Sequence, residues 1–338
     1  MTSSATTSGQ SARATVVTLQ DVQAPVRSSL DRVGDELARI LAGDGMVASD
    51  VTVHLAAMRG KLFRPTLLLL ASRVAGRAEP RAVSVAAALE VLHLASLVHD
   101  DAVDHSVMRR GMPTINALFS HQTAVLLGDL LYARALTELV RLGDWDVAQV
   151  FAEASTRMTV GELRQLGTAD ALAFTELDYD QLIRAKTASL FRAACDLGAL
   201  CGAHAYRASL ARYGERLGML FQVIDDLLDY TEVQEVTGKP SGLDLREHKV
   251  TLPLIAVLPG LSRAERRRVD ELFASTDPDD QLVAEVVALV AAHGGLEYAR
   301  ARVDRLASDA EDAVSELPES PARSALADAI AYAQDRRS

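Results

Sequence analysis

The chain has 338 residues, of which 49% are apolar and only 4% aromatic, and it carries a formal net charge of −11. That length allows one large domain or two ordinary ones with a sizeable core, and a composition led by Ala and Leu favours helix over strand. The negative charge argues against a general nucleic-acid binder and by itself names no partner.

The first 16 residues are rich in Ser, Thr and Ala and lack an apolar segment, so a disordered tail is expected there rather than a secretory signal. Residues 17–338 read as one domain. From residue 20 onward apolar residues recur at helical spacing, and no alternating run points to a sheet. The spacing predicts helices near 20–43, 47–58, 65–76, 80–104, 113–119, 121–141 and 145–167. Further helices are predicted near 175–202, 206–231, 250–257, 262–274, 281–293, 296–315 and 320–336. Breaks such as Gly111-Met112-Pro113, Leu142-Gly143-Asp144, Thr237–Gly242 and Pro259-Gly260 separate them. Stretches 86–100 and 217–229 are apolar nearly all round, which marks helices at the centre of a bundle. No run of about 18 uncharged apolar residues occurs, so no transmembrane segment is expected. Cys195 and Cys201 lack CxxC spacing and read as reduced core thiols of a cytoplasmic protein.

Two of these predicted helices end on the same acidic pattern. Asp100-Asp101-Ala102-Val103-Asp104 closes one, and Asp225-Asp226-Leu227-Leu228-Asp229 closes the other. Positions i and i+4 share a helix face, so each pattern projects two carboxylates together with a third nearby. Like charges at that spacing repel by a few tenths of a kcal/mol even in water, and an apolar wall enlarges the penalty. Hard divalent cations suit such oxygens. One such cluster would read as a solvated helix end; two, each after a buried-looking helix, read as a metal-bridged diphosphate site. Basic residues supply the other half. Arg59-Gly60-Lys61-Leu62-Phe63-Arg64-Pro65 places cations beside a Pro suited to open the next helix, which makes a phosphate cradle. Arg109-Arg110-Gly111 follows the first cluster with two forks for phosphate oxygens. Lys239 stands in the Gly-rich loop, and Lys249 follows Asp244.

Together these residues resemble the trans-isoprenyl (polyprenyl) diphosphate synthase family, over roughly residues 20–330. The resemblance rests on Gly60–Pro65, His93, His99–Asp104, Arg109–Thr114, Gly128-Asp129, Lys186-Thr187, Phe221–Asp229 and Gly238–Leu245. It implies an all-α fold, a single large helical bundle of the isoprenoid synthase type around a central cavity, usually a homodimer. It implies that Lys61, Arg64, His93 and Arg110 hold the diphosphate of isopentenyl diphosphate, and that Arg109, Lys186, Lys239 and Lys249 hold that of the allylic donor. Three Mg2+ ions are expected on the donor diphosphate, two at Asp100 and Asp104 and one at Asp225, with Asp101, Asp226 and Asp229 completing the metal site. Lys186, Thr187 and Gln222 are expected to face the cation left when the donor ionises. The chain departs from the family at Arg59, where Gly is usual, at Leu62, where a basic residue is common, and at His248, where Gly is frequent.

Product length should follow from what plugs the passage below Asp100. Ala95 and Ser96 lie one turn down and are small; Leu92 lies below them. Within the family an aromatic there goes with short products and a small residue with long ones, so a long-chain product is expected. The alternatives are a farnesyl or geranylgeranyl diphosphate synthase, a class I terpene cyclase and a non-catalytic synthase subunit. A cyclase would lack the KxxRP element, and a non-catalytic subunit would have lost some of the charged set.

Overall fold

Helix starts fall where capping chemistry places them. Thr18, Thr175 and Ser262 each close a capping box with an acidic residue three positions on. Ser120, Asp144, Asp279 and Ser320 cap theirs by accepting a backbone N–H. The structure is a computed structural model that describes residues 16–43, 49–58, 60–167, 170–231 and 242–335. The expected tail apart from its last residue, Arg59, and the loop carrying Lys239 lie outside the described residues.

In chain order the helices are α1 (Leu19–Gln23), α2 (Arg27–Ala42), α3 (Ser49–Met58), α4 (Phe63–Ala71), α5 (Ala82–Val103) and α6 (Ile115–Leu118). They continue with α7 (His121–Leu142), α8 (Trp145–Leu166), α9 (Glu176–Ile183), α10 (Ser189–Leu200), α11 (Arg207–Thr231) and α12 (Leu243–Arg246). The last are α13 (Leu252–Val257), α14 (Arg263–Ala274), α15 (Asp280–Ala292), α16 (Gly295–Ser315) and α17 (Pro321–Gln334).

The bundle is all-α, as expected, with α5, α10 and α11 at its centre. α5 packs on α2, α4 and α7, while α10 lies between α4, α8 and α11, and α11 rests on α16. α5 is apolar enough to match a membrane span, at a mean hydropathy of 1.6, yet 78% of that stretch is buried inside the fold. Glycines set the closest approaches. A Cβ at Gly198 would stand 2.4 Å from the Leu68 carbonyl, so only Gly lets α10 lie this close to α4.

Four departures from the predicted elements matter to the site. Pro25 opens a 3-10 turn that separates α1 from α2. Residues 113–119, expected as helix, are only partly so, because Met108–Arg109 pairs antiparallel with Met112–Pro113. Arg110 and Gly111 form the turn of that hairpin with φ of +52° and +76°, the left-handed pair that a two-residue connection requires. The expected helix 175–202 is interrupted by a π-helical segment, Arg184–Ala188. α12 is absent from the sequence reading.

Candidate active site

The ends of α5 and α11 carry the two aspartate clusters, and in each the first aspartate is left partly open while the second is buried. Asp101, 1% exposed, accepts from Arg109 Nε at 2.8 Å. Asp226, 4% exposed, accepts from Tyr179 Oη at 2.5 Å and from Gln222 Nε2 at 2.8 Å. The helical repeat therefore turns Asp100 and Asp104, and likewise Asp225 and Asp229, to one side, and turns the middle aspartates onto protein donors. Asp229 also accepts the backbone N–H groups of Leu243 and Asp244, which fastens α12 to the end of α11. Lys249, just past α12, lies 3.8 Å from Asp104 and 2.6 Å from Glu247, so the second cluster's segment reaches the first cluster.

Burial dominates the electrostatics. It pushes the Asp100 carboxyl up to about 6, with Lys186 opposing and Glu162 reinforcing the shift. Asp226 and Asp244 are raised by burial and by their acidic neighbours. The donor set is all oxygen, and the raised carboxyls mark a place where added positive charge is favoured. Among the described residues no three carboxylate, imidazole or thiol groups close around one point. The set fits Mg2+, which usually takes one or two protein carboxylates and completes its shell with phosphate oxygens and water.

A second group of cations gathers on α4 and the hairpin, beside His93 of α5. Arg64 Nη1 donates to His93 Nε2 at 3.0 Å, and its guanidinium lies 4.7 Å over the Phe191 ring. Burial lowers Arg64 to about 10 and holds His93 well below its ordinary range, so this imidazole is neutral. Arg110 Nη1 donates to the Met58 carbonyl at 2.8 Å, and a Cβ on Gly60 would stand 2.7 Å from that same nitrogen. Gly60 thus makes room for the guanidinium. Gln23 Nε2 donates to the Lys61 carbonyl at 2.9 Å and pins the loop that presents Lys61.

The π-helical segment carries Lys186 and Thr187, and its extra residue re-aims both toward α8 and α11. Thr187 Oγ1 donates to Gln222 Oε1 at 2.7 Å, so Thr187, Gln222, Asp226 and Tyr179 form one chain of hydrogen bonds. Lys186 Nζ is held by Gln165 Oε1 at 3.1 Å and by Glu162 at 2.6 Å. Further down α5, Ala95 and Leu92 are buried, while Ser96 is half-buried and donates to the His93 carbonyl.

Sequence reasoning missed Glu162, Gln165, Tyr179 and Glu90. A signal existed for Glu90, a lone carboxylate inside the apolar run from Val85 to Leu94. It is 2% exposed, and its charge is felt by Arg64 and Arg110. His248 stands at a φ of +55°, a conformation that favours Gly, and its ring lies 5.6 Å from that of Phe273.

The polyprenyl synthetase family model matches residues 47–290. The chain belongs to this family. It is therefore a prenyltransferase of isoprenoid biosynthesis, an all-trans polyprenyl diphosphate synthase. It is 38% identical over 319 residues, 94% of this chain and 98% of the relative, to an all-trans-nonaprenyl-diphosphate synthase (geranyl-diphosphate specific) of Rhodobacter capsulatus. It is 34% identical over 303 residues, 88% of this chain and 92% of the relative, to a short chain isoprenyl diphosphate synthase of Methanothermobacter thermautotrophicus. The crystal structure of a polyprenyl synthase from Caulobacter crescentus CB15, complexed with calcium and isoprenyl diphosphate, superposes with a TM-score of 0.88 at 29% identity, covering 96% of this chain and 99% of that one.

Proposed function

We propose that this synthase condenses isopentenyl diphosphate head to tail onto an allylic diphosphate at the α5–α11 site, with Mg2+, and that its product is long. The observation that carries the assignment of the site is the approach of Lys249 to Asp104, which brings the two aspartate-bearing helix ends together around one pocket of charge. Bound divalent ions, held at Asp100, Asp104 and Asp225, would neutralise the diphosphate that leaves the donor.

The protein's own groups do the rest. Lys61, Arg64, Arg110 and neutral His93 hold the acceptor diphosphate, while Arg109, Lys186 and Lys249 hold the donor's; Lys239 is assigned there by resemblance alone. The allylic carbon–oxygen bond breaks with its electron pair leaving on the diphosphate. The acceptor double bond then attacks the carbon, and the proton lost from the acceptor passes to the departing diphosphate. Gln222 Oε1 and the π-segment carbonyls present negative dipole ends to the cation without being nucleophiles.

No Phe, Tyr or Trp occurs on α5, and Ala95 and Ser96 keep side-chain bulk small on the turn below Asp100. That supports a long product, as does the nonaprenyl-forming relative. The exposed apolar residues of α7 and α8, Leu126, Trp145, Leu163 and Leu166, are proposed to meet a second copy, and Leu163→Glu should shift sedimentation toward monomer. The buried free thiols suit a reducing cytoplasm. The test of function is incubation with Mg2+, farnesyl diphosphate and labelled isopentenyl diphosphate, followed by chromatography of dephosphorylated products. A ladder ending at about seven or more isoprene units is expected, given roughly one unit per 5.4 Å helical turn; no incorporation would overturn the assignment.

A further inference from the structure

Away from the aspartate clusters, α2, the C-terminal end of α4, residues 73–80 and the start of α5 line a solvent-open cavity of about 400 Å³. Small-ligand clefts span about 300–1,000 Å³, so this one is large enough for a compact molecule. Its walls bring together Arg32, Arg73 and Arg77, with Ser29 between the first two. Arg73 Nη2 donates to Ser29 Oγ at 2.8 Å, and Arg32 Nη2 donates to the same oxygen at 3.2 Å. Arg73 Nη1 is also fixed on the Pro25 carbonyl at 2.6 Å. Ser29 is 2% exposed, so a buried neutral hydroxyl holds two guanidinium groups side by side.

Among the described residues, no carboxylate pairs with Arg32, Arg73 or Arg77. Glu79, which also lines the cavity, is taken by Arg81 at 2.8 Å, and Glu36 of α2 is taken by Arg39 at 2.9 Å. In a chain with 46 acidic and 35 basic residues, a carboxylate would be easy to supply at such a place. The guanidinium groups of Arg32 and Arg73 are instead anchored through neutral acceptors, and their remaining N–H donors are left for a ligand. Planar guanidinium forks match phosphate oxygens two at a time.

We propose that this cavity binds a compact polyanion of the diphosphate class, held by Arg32, Arg73 and Arg77. The site is distinct from the catalytic centre: α4 and α5 start or end at the cavity and carry Arg64 and Asp100 toward their other ends. The rise along α5 from Ala82 to Asp100 is about 27 Å. Leu69 and Val83 add an apolar flank, so the head group could belong to inorganic diphosphate or to a short prenyl diphosphate.

The test is calorimetric titration of inorganic diphosphate into the full-length protein in metal-free buffer, where the carboxylate site lacks its bridging ions. The wild type is expected to show a binding event at this cavity, beside any at the Lys61, Arg64 and Arg110 cradle, which also needs no metal. Arg32→Gln/Arg73→Gln should weaken it by about tenfold or more, the loss of one or two charge-assisted bonds, while Lys61→Gln/Lys186→Gln leaves it in place. Arg77→Gln, a change at an exposed side chain, should weaken it too, and keeps the test valid if the double variant unfolds. Geranyl diphosphate binding as tightly as inorganic diphosphate assigns the site to the head group alone, and tighter binding adds the apolar flank. No binding by the wild type, or binding lost in Lys61→Gln/Lys186→Gln and kept in the cavity variants, would overturn the proposal.

Discussion

Asp226 illustrates how a buried carboxylate can serve a site it does not face. Both of its oxygens are spent on Tyr179 and Gln222, and through Gln222 it fixes Thr187 on the π-helical segment. Burial and nearby carboxylates hold the Tyr179 phenol far above its ordinary range, so it remains a donor. Tyr179→Phe removes that donor and leaves an acidic oxygen unpaired in a buried place. The expected loss of stability is about 1.5–3 kcal/mol, the range for a bond to a charged group. If the chain of bonds also orients Gln222, kcat should fall by about tenfold, equivalent to about 1.4 kcal/mol, with the KM for the acceptor unchanged. Denaturant unfolding and steady-state kinetics check the two halves separately, and a stability loss with unaltered kcat would reduce Tyr179 to a core residue. The aspartates themselves were legible because their spacing is a helical repeat. Glu162 and Gln165 were not, since their meaning lies in a contact with Lys186 from a different helix.

At the scale of elements, periodicity located α5, α7, α8 and α11 to within a few residues, because each has a wide apolar face and a capped or abrupt end. It failed where local geometry is fixed by neighbours. The Met108–Pro113 hairpin has strands of two residues, too short to alternate, and Arg110 adopts a positive φ there without being Gly. The π-helical segment keeps an ordinary helical composition, so its extra residue leaves no trace in the spacing. α5, by contrast, was legible enough to carry a prediction about product length. Ser96 lies four residues, or about 6 Å, below Asp100 on the same face and is only half-buried. Ser96→Phe puts an aromatic ring into that passage without cutting any ligand contact. Turnover should persist while chromatography shows the product distribution moving to fewer isoprene units. An unchanged distribution would place the passage on another face of the helix.

For the molecule as a whole, the burial of acidic groups couples stability to both pH and metal. Asp100 stands at about 6 in the fold, against about 3.9 for an unfolded aspartate, and Asp226 and Asp244 are shifted in the same direction. The folded chain therefore holds these protons more tightly. Their contribution to stability is complete below about pH 4 and declines as pH rises through the folded-state values. Groups shifted downward, such as Glu265 at about 2, lose their contribution only as pH falls below about 4, so they do not interfere at neutral pH. Neutral His93 acts in the opposite sense, adding stability as pH rises toward its unfolded value near 6.5. Its effect cancels when the same sample is compared with and without metal, because it sits among the arginines rather than the aspartates. Mg2+ with diphosphate competes with the protons on the aspartates. The thermal shift it produces should thus be larger at about pH 8 than at about pH 5.5, where the metal must first displace them. Scanning calorimetry at the two pH values measures this directly, and Asp100→Asn, which has no proton to displace, should shrink both the shift and its dependence on pH. A shift that is equal at both pH values, or greater in acid, would mean that the raised carboxylates are not the groups that meet the metal.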